Sequence, residues 1–520
     1  MTTPKLDHLL SIDNGTQSVR AMIFNTSGEL VTKYSEPIDA YFSNEPGWAE
    51  QHADYFWRAL CRACCGLWGI SEIAPERIAG VSVTTQRATS VALEHRGHPI
   101  RPAFCWPDQR RVASQPKLGR LESLGMRILG VKGAVNQFHQ AAASNWMAQK
   151  EPELWAKTSR YLLLSGYQSY RLSGDYRDAI ASQVGYLPFD FKHHRWANES
   201  DWTWRALAIK RGMLPELVRA GEPLGYISAE AAEQTGIPVG RPLIASGSDK
   251  ACEVLGSGCL DATTASLSFG TIATFNMVSS RYIKPTATHP PAYPGVMPNT
   301  YNIEMAVQRG YWMVDWFKRE FGLREQQLAN ASGIAPEALF DNLLDAVPPG
   351  AMGLMLQPYW SPAPGDPIGD ARGAIIGFTE QHGRAHIYRA MIEGITYALR
   401  EGKERAEKRS GQRIEQLVAS GGGAQSDRIL QITADIFGLP VARPHTYETS
   451  GLGAAIAAAV GVGLHPDFTT AVHAMTRTEK TFMPHAPHHA TYQKLYREIY
   501  KNLYRQLQPS YKKLHTYFGR

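Results

Sequence analysis

The sequence predicts an α/β protein made of two similar halves. Three observations carry this. The chain opens on a meander of short apolar strands. Strands then alternate with amphipathic helical segments. A second strand–turn–strand unit of the same shape begins after Gly256-Ser257-Gly258.

In the first half, His8 to Asp13 reads as a strand and Asn14-Gly15-Thr16 as a turn. Ser18 to Phe24 is a second strand, Ser27-Gly28 a second turn, and Glu29 to Ser35 a third strand. Ala53 to Trp68 has helical periodicity. Strands follow at Ile78–Thr84 and Thr89–Glu94, with a turn at Arg96-Gly97, and helices are expected over Arg110–Leu124 and Ala141–Glu151. Leu243 to Ser246 is an apolar strand ahead of a helical stretch. In the second half, Thr264 to Phe269 and Ile272 to Val278 flank a Gly270-Thr271 turn. Ser279 to Pro298, rich in Pro and His, reads as an excursion, and Pro358 to Gly373 as a long turn-rich loop. Gln416 to Ala419 is a strand ending in Ser420-Gly421-Gly422-Gly423-Ala424, with a helix opening at Ser426. From Tyr492 to Leu507, tyrosines at 492, 496, 500 and 504 share a stripe with Leu495, Ile499 and Leu503. An amphipathic helix packed on the second half explains this, with Lys494, Arg497, Lys501 and Arg505 on its polar face.

Composition bounds the function. With 43% apolar and 20% charged residues, the chain is globular, which excludes disordered, collagenous and disulfide-scaffold classes. The net charge of +6 is fully accounted for by seven basic residues against one acidic between Thr491 and Arg520. The remaining surface is balanced, which argues against wrapping nucleic acid. Six scattered or helix-borne cysteines read as reduced thiols, hence a reducing compartment. Met1 to Leu10 lacks the apolar core of a signal peptide, and the longest apolar stretch, Leu452 to Leu464, is too short to span a bilayer. A cytoplasmic protein without a membrane partner is expected.

The P-loop, Rossmann, zincin and hydrolase signatures are all absent. His485, His488 and His489 lie beside Pro484 and Pro487 with no acidic or Cys partner nearby in sequence, so a solvated loop is read there in preference to a metal site. Three Gly-rich turns remain: Asp13 to Ser18, Gly270-Thr271, and Ser420 to Ala424. Each brings backbone N–H groups and small hydroxyls to a strand end where a phosphate can approach. One such turn is ordinary; three on strand ends suggest a nucleotide.

Asp13-x-Gly15-Thr16-x-Ser18-x-Arg20 resembles the first phosphate motif of the FGGY carbohydrate kinases. Pro46-Gly47-Trp48-Ala49-Glu50-Gln51, Gln86-Arg87-Ala88-Thr89, and Trp106-x-Asp108-x-Arg110 are similar to that family's next landmarks. Gly247-Ser248-Asp249-Lys250 with Leu255-Gly256-Ser257-Gly258 resembles the segment of the catalytic aspartate. Gly373 to Gly394, Gly421 to Ala424, and Glu448-x-x-x-x-Gly453-Ala454-Ala455 complete the order. The resemblance runs from about residue 8 to residue 505 and implies two RNase-H-like α/β domains with a central cleft, as in actin and hexokinase. It implies a division at 1–258 and 259–520, and ATP-dependent phosphorylation of a sugar or polyol hydroxyl.

The family roles then fall on particular residues. Asp249, otherwise read as a helix N-cap, becomes the base that accepts the hydroxyl proton. Asp13 would orient Mg²⁺ through water. The ATP residues would be Asp13, Gly15, Thr16, Gln17, Ser18, Arg20, Gly270, Thr271, Gly310, Gly422, Gly423, Ala424 and Asp427, with Arg20 neutralising charge or only supporting the hairpin. The acceptor residues would be Gln86, Arg87, Trp106, Phe138, Asp249 and Lys250. A homodimer is among the assemblies the resemblance allows.

Four departures bear on the substrate. Glycerol kinases carry an Arg-Glu pair after the Gln, and here Ala88 takes the acidic place. Xylulokinases carry Gln-Met-His-Gly there. Lys250 replaces the commoner Gln, which either favours an anionic acceptor or is a solvated helix charge. The signature around Asn136 to Gln149 lacks its usual Lys. A five- or six-carbon sugar, ketose or polyol is therefore expected ahead of glycerol. A non-catalytic sugar or nucleotide sensor and a different ATPase on this fold are the competing classes.

Overall fold

The computed structural model describes residues 5–116, 119, 126–127, 132–286, 290–334, 336–360 and 371–518. The expected loop Pro358 to Gly373 lies outside these over 361–370, and the expected helix Arg110–Leu124 over 117–118 and 120–125. The chain forms two compact units. Unit 1 is Met1–Leu260, Ser280–Asn302 and Glu448–Arg477; unit 2 is Asp261–Ser279, Ile303–Tyr447 and Thr478–Arg520.

The sheet of unit 1 is built on β1 (His8–Asn14), β2 (Ser18–Asn25), β3 (Leu30–Pro37), β4 (Ile78–Thr85), β5 (Pro223–Tyr226) and β6 (Pro242–Ile244), in the order β5-β6-β4-β1-β2-β3. β1 pairs antiparallel with β2 and parallel with β4, and β6 runs parallel to β4. Every residue of β1 and β4 is buried, as a central strand covered on both faces requires, whereas β3 at the edge alternates half-buried and exposed residues. Helix Ala53–Ile70 covers one face with Phe56, Trp57, Leu60, Ala63, Cys64 and Leu67. Helix Thr449–Gly461 covers the other.

That last helix explains why a single cut after residue 258 does not describe unit 1. Its Ala- and Gly-rich face has no bulk, so it lies backbone to backbone on helix Asp249–Gly256. A Cβ on Gly453 would stand 1.9 Å from Cys252 O, and one on Gly256 2.0 Å from Thr449 O. Only glycine permits this approach, which returns residues 448–477 to the first unit.

Unit 2 repeats the strand plan. β7 (Thr264–Phe269), β8 (Ala273–Ser279), β9 (Tyr301–Val307), β10 (Gln416–Ser420), β11 (Val441–Pro444) and β12 (Thr478–Phe482) run in the order β9-β8-β7-β10-β11-β12. Here β7 pairs antiparallel with β8 and parallel with β10, as β1 does with β2 and β4. The tyrosine stripe is buried: Tyr492, Tyr496 and Tyr500 pack around Tyr397, with a π-helical turn at Tyr496–Tyr500, while Lys494, Arg497, Lys501 and Arg505 are exposed. None of the six cysteines is in a disulfide, and among the described residues no helix is long and apolar enough to cross a membrane.

Two expected helices differ. Residues 110–116 are not helical, because Arg110 is buried in an ion network and Pro116 cannot sit inside a helix. Ala141–Glu151 is instead the end of helix Lys132–Ala141 and a separate helix Ala143–Lys150, broken at the extended Ala142.

Candidate active site

The β1–β2 turn sets out the first group. Gly15 N donates to Ser18 O at 3.0 Å; Gln17 is exposed, and Thr16 and Ser18 are half-buried. Asp13, at the end of β1, stands opposite Arg20 on β2 and Thr84 on β4. Arg20 donates to Asp13 Oδ2 at 2.5 Å and to Glu448 Oε2 at 2.6 Å, while Lys33 Nζ donates to Glu448 Oε1 at 2.8 Å. Arg20 is thus held by two carboxylates of its own unit. Burial pushes the Asp13 carboxyl up to about 6; Arg20 opposes this, and Asp249, Glu448 and Glu253 add repulsion. Asp13 Oδ1, both amide atoms of Asn14, and Gln86 Nε2 are buried without a hydrogen-bond partner. Such groups are costly unless a ligand or water completes them.

Asp249 begins helix Asp249–Gly256 but is not its cap. Ser248 holds that place, its Oγ accepting from Ala251 N at 3.4 Å. The neighbour therefore takes the duty that a helix-entry aspartate would ordinarily perform. Asp249 Oδ1 accepts from Lys250 N at 2.7 Å and lies 3.9 Å from Arg87 Nε. Burial raises its pKa, with Arg87 and Lys250 pulling the other way. Lys250 is neither a solvated charge nor aimed at open space: its Nζ donates to the buried Glu253 at 2.6 Å. The entry segment is fixed by Thr84 Oγ1 donating to Gly247 O at 2.9 Å and Ser248 N donating to Ala181 O at 3.1 Å.

Gln86 follows β4 and joins these groups. Its N donates to Asn14 O at 2.9 Å, and its Oε1 accepts from Thr16 Oγ1 at 3.4 Å; Trp106 Nε1 in turn donates to Thr16 Oγ1 at 3.2 Å. One chain of contacts thus links two expected acceptor residues to an expected phosphate residue. Arg87 lies over the Tyr293 ring, 5.6 Å from its centroid. Ala88 occupies the left-handed region at φ +57°, which costs a non-glycine residue roughly 1 kcal/mol, and its N donates to Val184 O. Phe138 is edge-on to Tyr186 and Trp202, 5.5 Å from each, and reaches this neighbourhood only through Tyr186, two residues beyond Val184. The Trp106 loop is anchored by ions: Arg110 pairs with Asp108 and Glu50, Arg101 also pairs with Glu50, and Asp108 Oδ2 accepts from Ala49 N at 2.8 Å. Glu50, Arg101 and Arg110 are joined in the ion pairs that anchor that loop.

In unit 2 the expected nucleotide residues fall into three kinds. Gly270 and Thr271 close the β7–β8 turn; Thr271 is exposed, and a Cβ on Gly270 would meet nothing closer than 3.6 Å. Gly310 and Gly423 are packing glycines. A Cβ on Gly310 would stand 2.4 Å from the Ala273 Cβ, and one on Gly423 2.2 Å from the Tyr311 ring. Tyr311 stacks on Phe269 and its N donates to Gly270 O, so these glycines shape the turn from behind. Gly422 has open space around it, and Ala424 is buried with its O accepting from Arg443. Asp427 accepts from Arg443 Nη2 at 2.5 Å and from Lys480 Nζ. Burial would raise its carboxyl, but these two cations hold it below the usual range.

Sequence reasoning missed Glu448, Glu253, Lys33 and Tyr293. Glu448 stood in a quoted landmark, yet its partner Arg20 lies 428 residues away and no local signal joins them.

A site of buried, repelling carboxylates beside unpaired amides, on a strand plan repeated in two units, fits a phosphotransferase. Residues 8–256 match the N-terminal domain of the FGGY family of carbohydrate kinases, and residues 265–462 its C-terminal domain. The chain belongs to this family and is a carbohydrate kinase, transferring phosphate to an alcohol group; kinases of this family draw on ATP. It is similar to the uncharacterized sugar kinase YgcE of Escherichia coli (strain K12), 30% identical over 478 residues, covering 92% of this chain and 89% of that protein. It is also similar to the xylulose kinase of Lactococcus lactis subsp. lactis (strain IL1403), 28% identical over 486 residues with 92% and 93% covered. Among solved structures, ligand-bound xylulose kinase from Lactobacillus acidophilus shares the fold at TM-score 0.81 and 21% identity, covering 97% of this chain and 99% of that one. Plasmodium falciparum glycerol kinase with ADP does so at 0.78 and 18%, with 97% and 99% covered.

Proposed function

We propose that the chain phosphorylates a hydroxyl of a five- or six-carbon sugar, ketose or polyol, with Asp249 as the general base. The observation that carries this is a half-buried aspartate with a raised pKa that is relieved of capping by Ser248 and stands beside Arg87. The acceptor O–H bond breaks toward the Asp249 carboxylate as the oxygen forms its bond to the γ-phosphorus, and the bond to the β,γ-bridging oxygen breaks with ADP as leaving group. A raised pKa makes Asp249 a better proton acceptor than a surface aspartate. Bound ATP·Mg²⁺ supplies the phosphoryl group and the charge neutralisation. Asp13 Oδ1, buried and without a donor, fits a hydrated cation, and the repulsion around it is what such a cation would relieve.

Gly15, Thr16, Gln17 and Ser18 in unit 1, and Gly270, Thr271 and Gly422 in unit 2, are the nucleotide residues on this reading. Gly310, Gly423 and Ala424 support them from behind, Arg20 positions Asp13, and Asp427 is held in its own ion pairs. Gln86, Arg87 and Trp106 receive the acceptor, and the unpaired Gln86 Nε2 is suited to a sugar hydroxyl. Phe138 bounds the acceptor side through Tyr186, and Lys250 acts through Glu253. Action in the cytoplasm on a small sugar, as a monomer or a homodimer, agrees with six cysteines outside any disulfide. The xylulose kinases among the relatives support a ketose acceptor.

Ala88 carries the preference over glycerol. Its short side chain cannot accept from a hydroxyl, and a charge-assisted hydrogen bond of this kind is worth ~1.5–3 kcal/mol. A three-carbon polyol has few other contacts, whereas a longer acceptor reaches Gln86, Arg87 and Asp249. ADP release measured over pentuloses, hexuloses, pentitols and glycerol is expected to give the best five- or six-carbon acceptor a kcat/KM at least ~10² above that of glycerol. Comparable values would return glycerol as the acceptor.

A further inference from the structure

The geometry points to a zinc site in unit 2, formed by Asp435, His485 and His488. Sequence left these histidines without an acidic partner; the fold brings one from 50 residues upstream. Asp435 lies near the C-terminal end of helix Asp427–Phe437, with its carboxylate buried, and the histidines lie at the start of helix Ala486–Leu495. One ligand atom from each of the three residues lies within 4.8 Å of the other two.

The carboxylate is aimed before any ion arrives. Asp435 Oδ1 accepts from His485 N at 2.8 Å and from Gln431 Nε2 at 2.9 Å, and Gln431 is itself held by donating to Met483 O at 2.8 Å. This leaves Oδ2 toward the two imidazoles. His488 Nδ1 lies 3.0 Å from it and His485 Nδ1 3.8 Å. A helix cap accounts for the Oδ1 bonds and a hydrogen bond for His488. His485 packs edge-on against His488, ring centroids 5.3 Å apart, which holds its ring nitrogen near the same oxygen though beyond hydrogen-bond reach. Ligands at ~2.0–2.2 Å around a tetrahedral zinc ion are roughly 3.3–3.5 Å apart, and the two observed separations bracket that value. The partly exposed histidines leave the fourth position to water. Gln431 is the outer partner that such sites use to orient a carboxylate.

The ion would tie the end of helix Asp427–Phe437 to the start of helix Ala486–Leu495. The second carries Tyr492, whose hydroxyl donates to Glu393 at 2.7 Å and accepts from Arg389 at 2.8 Å. The site is thus a staple on the C-terminal helix, separate from the residues assigned to catalysis.

The test is equilibrium dialysis of the full, tag-free chain against zinc, without nucleotide, together with thermal unfolding. Parent, His485→Gln and His488→Gln are compared. Both variants keep all six cysteines, so any loss reports the histidines alone. The expected result is one zinc ion per parent chain, an apparent affinity at least ~10-fold weaker in each variant, and a zinc-dependent rise in Tm confined to the parent. Absence of saturable zinc uptake by the parent, or uptake by both variants at parental affinity, overturns the site.

Discussion

Around Asp13 in unit 1, Asp13, Asp249, Glu253 and Glu448 are met by Arg20, Lys33, Arg87 and Lys250, largely buried and in direct pairs. Among the described residues, there is no such crowd around Gly421 to Gly423 in unit 2. The turn is shaped by Tyr311, Phe269 and close backbone approach, and the nearest ions, Asp427, Arg443 and Lys480, answer one another. The same strand plan therefore serves two kinds of chemistry. One unit is tuned by charge, and isosteric charge removal or a change of pH will reach it. The other is shaped by sterics, and a single added methyl group will reach it.

The largest expected difference is one of pH. Burial pushes the Asp13 carboxyl up to about 6, from an ordinary value of 3.8. The folded state holds this proton more tightly than the unfolded state, so the penalty is absent below pH ~4 and complete above ~6. Without nucleotide, the stability of the parent relative to Asp13→Asn should fall by ~3 kcal/mol between pH 3.5 and pH 7.5. Asp178, raised by burial to about 7, acts in the same direction but cancels in the comparison. A flat difference in urea-unfolding free energy across that range would remove the charge argument.

Sterics should dominate in unit 2. Gly423→Ala must displace the buried Tyr311 ring and is expected to cost ~1–3 kcal/mol. Gly422→Ala meets nothing within 4 Å and should stay within about 0.5 kcal/mol of the parent. Equal losses in the two variants would show that packing does not distinguish these glycines. The smallest effect concerns the nucleotide. Gly270→Val has room in the fold, so its stability should be near parental while its protection by ATP·Mg²⁺ in thermal unfolding falls by the equivalent of about tenfold in affinity. Thr16→Val should do the same from unit 1. Full protection in both variants would move the phosphates elsewhere.

What sequence made legible follows from how local each signal is. Strand ends with Gly-rich turns are contiguous, so Asp13, Gly15, Gly270 and Gly422 were found at their turns, as was the repeated strand plan. Asp249 opens its helix as the sequence reads, but Ser248 and not Asp249 caps it, a distinction that rests on side-chain direction. Over its described part, 110–116, the expected Arg110–Leu124 helix is absent because Arg110 is held in buried pairs with Asp108 and Glu50, the second of them 60 residues away. Glu448 and Asp435 act on partners far away in the chain, and no local pattern announces them. Gly310 and Gly423 were expected among the ATP residues, whereas the space beside them is filled by Ala273 and Tyr311.

The central claim is that unit 1 does chemistry through Asp249, and ADP release by Asp249→Asn tests it most directly. Release should be measured for parent and variant, each with and without the best acceptor sugar, alongside protection by ATP·Mg²⁺. Parental release is expected to depend on the sugar. In Asp249→Asn the sugar-dependent kcat should fall by ~10²–10⁴ while ATP and sugar binding stay within about tenfold. A correctly folded Asp249→Asn enzyme that turns over at near-parental rate would contradict the account.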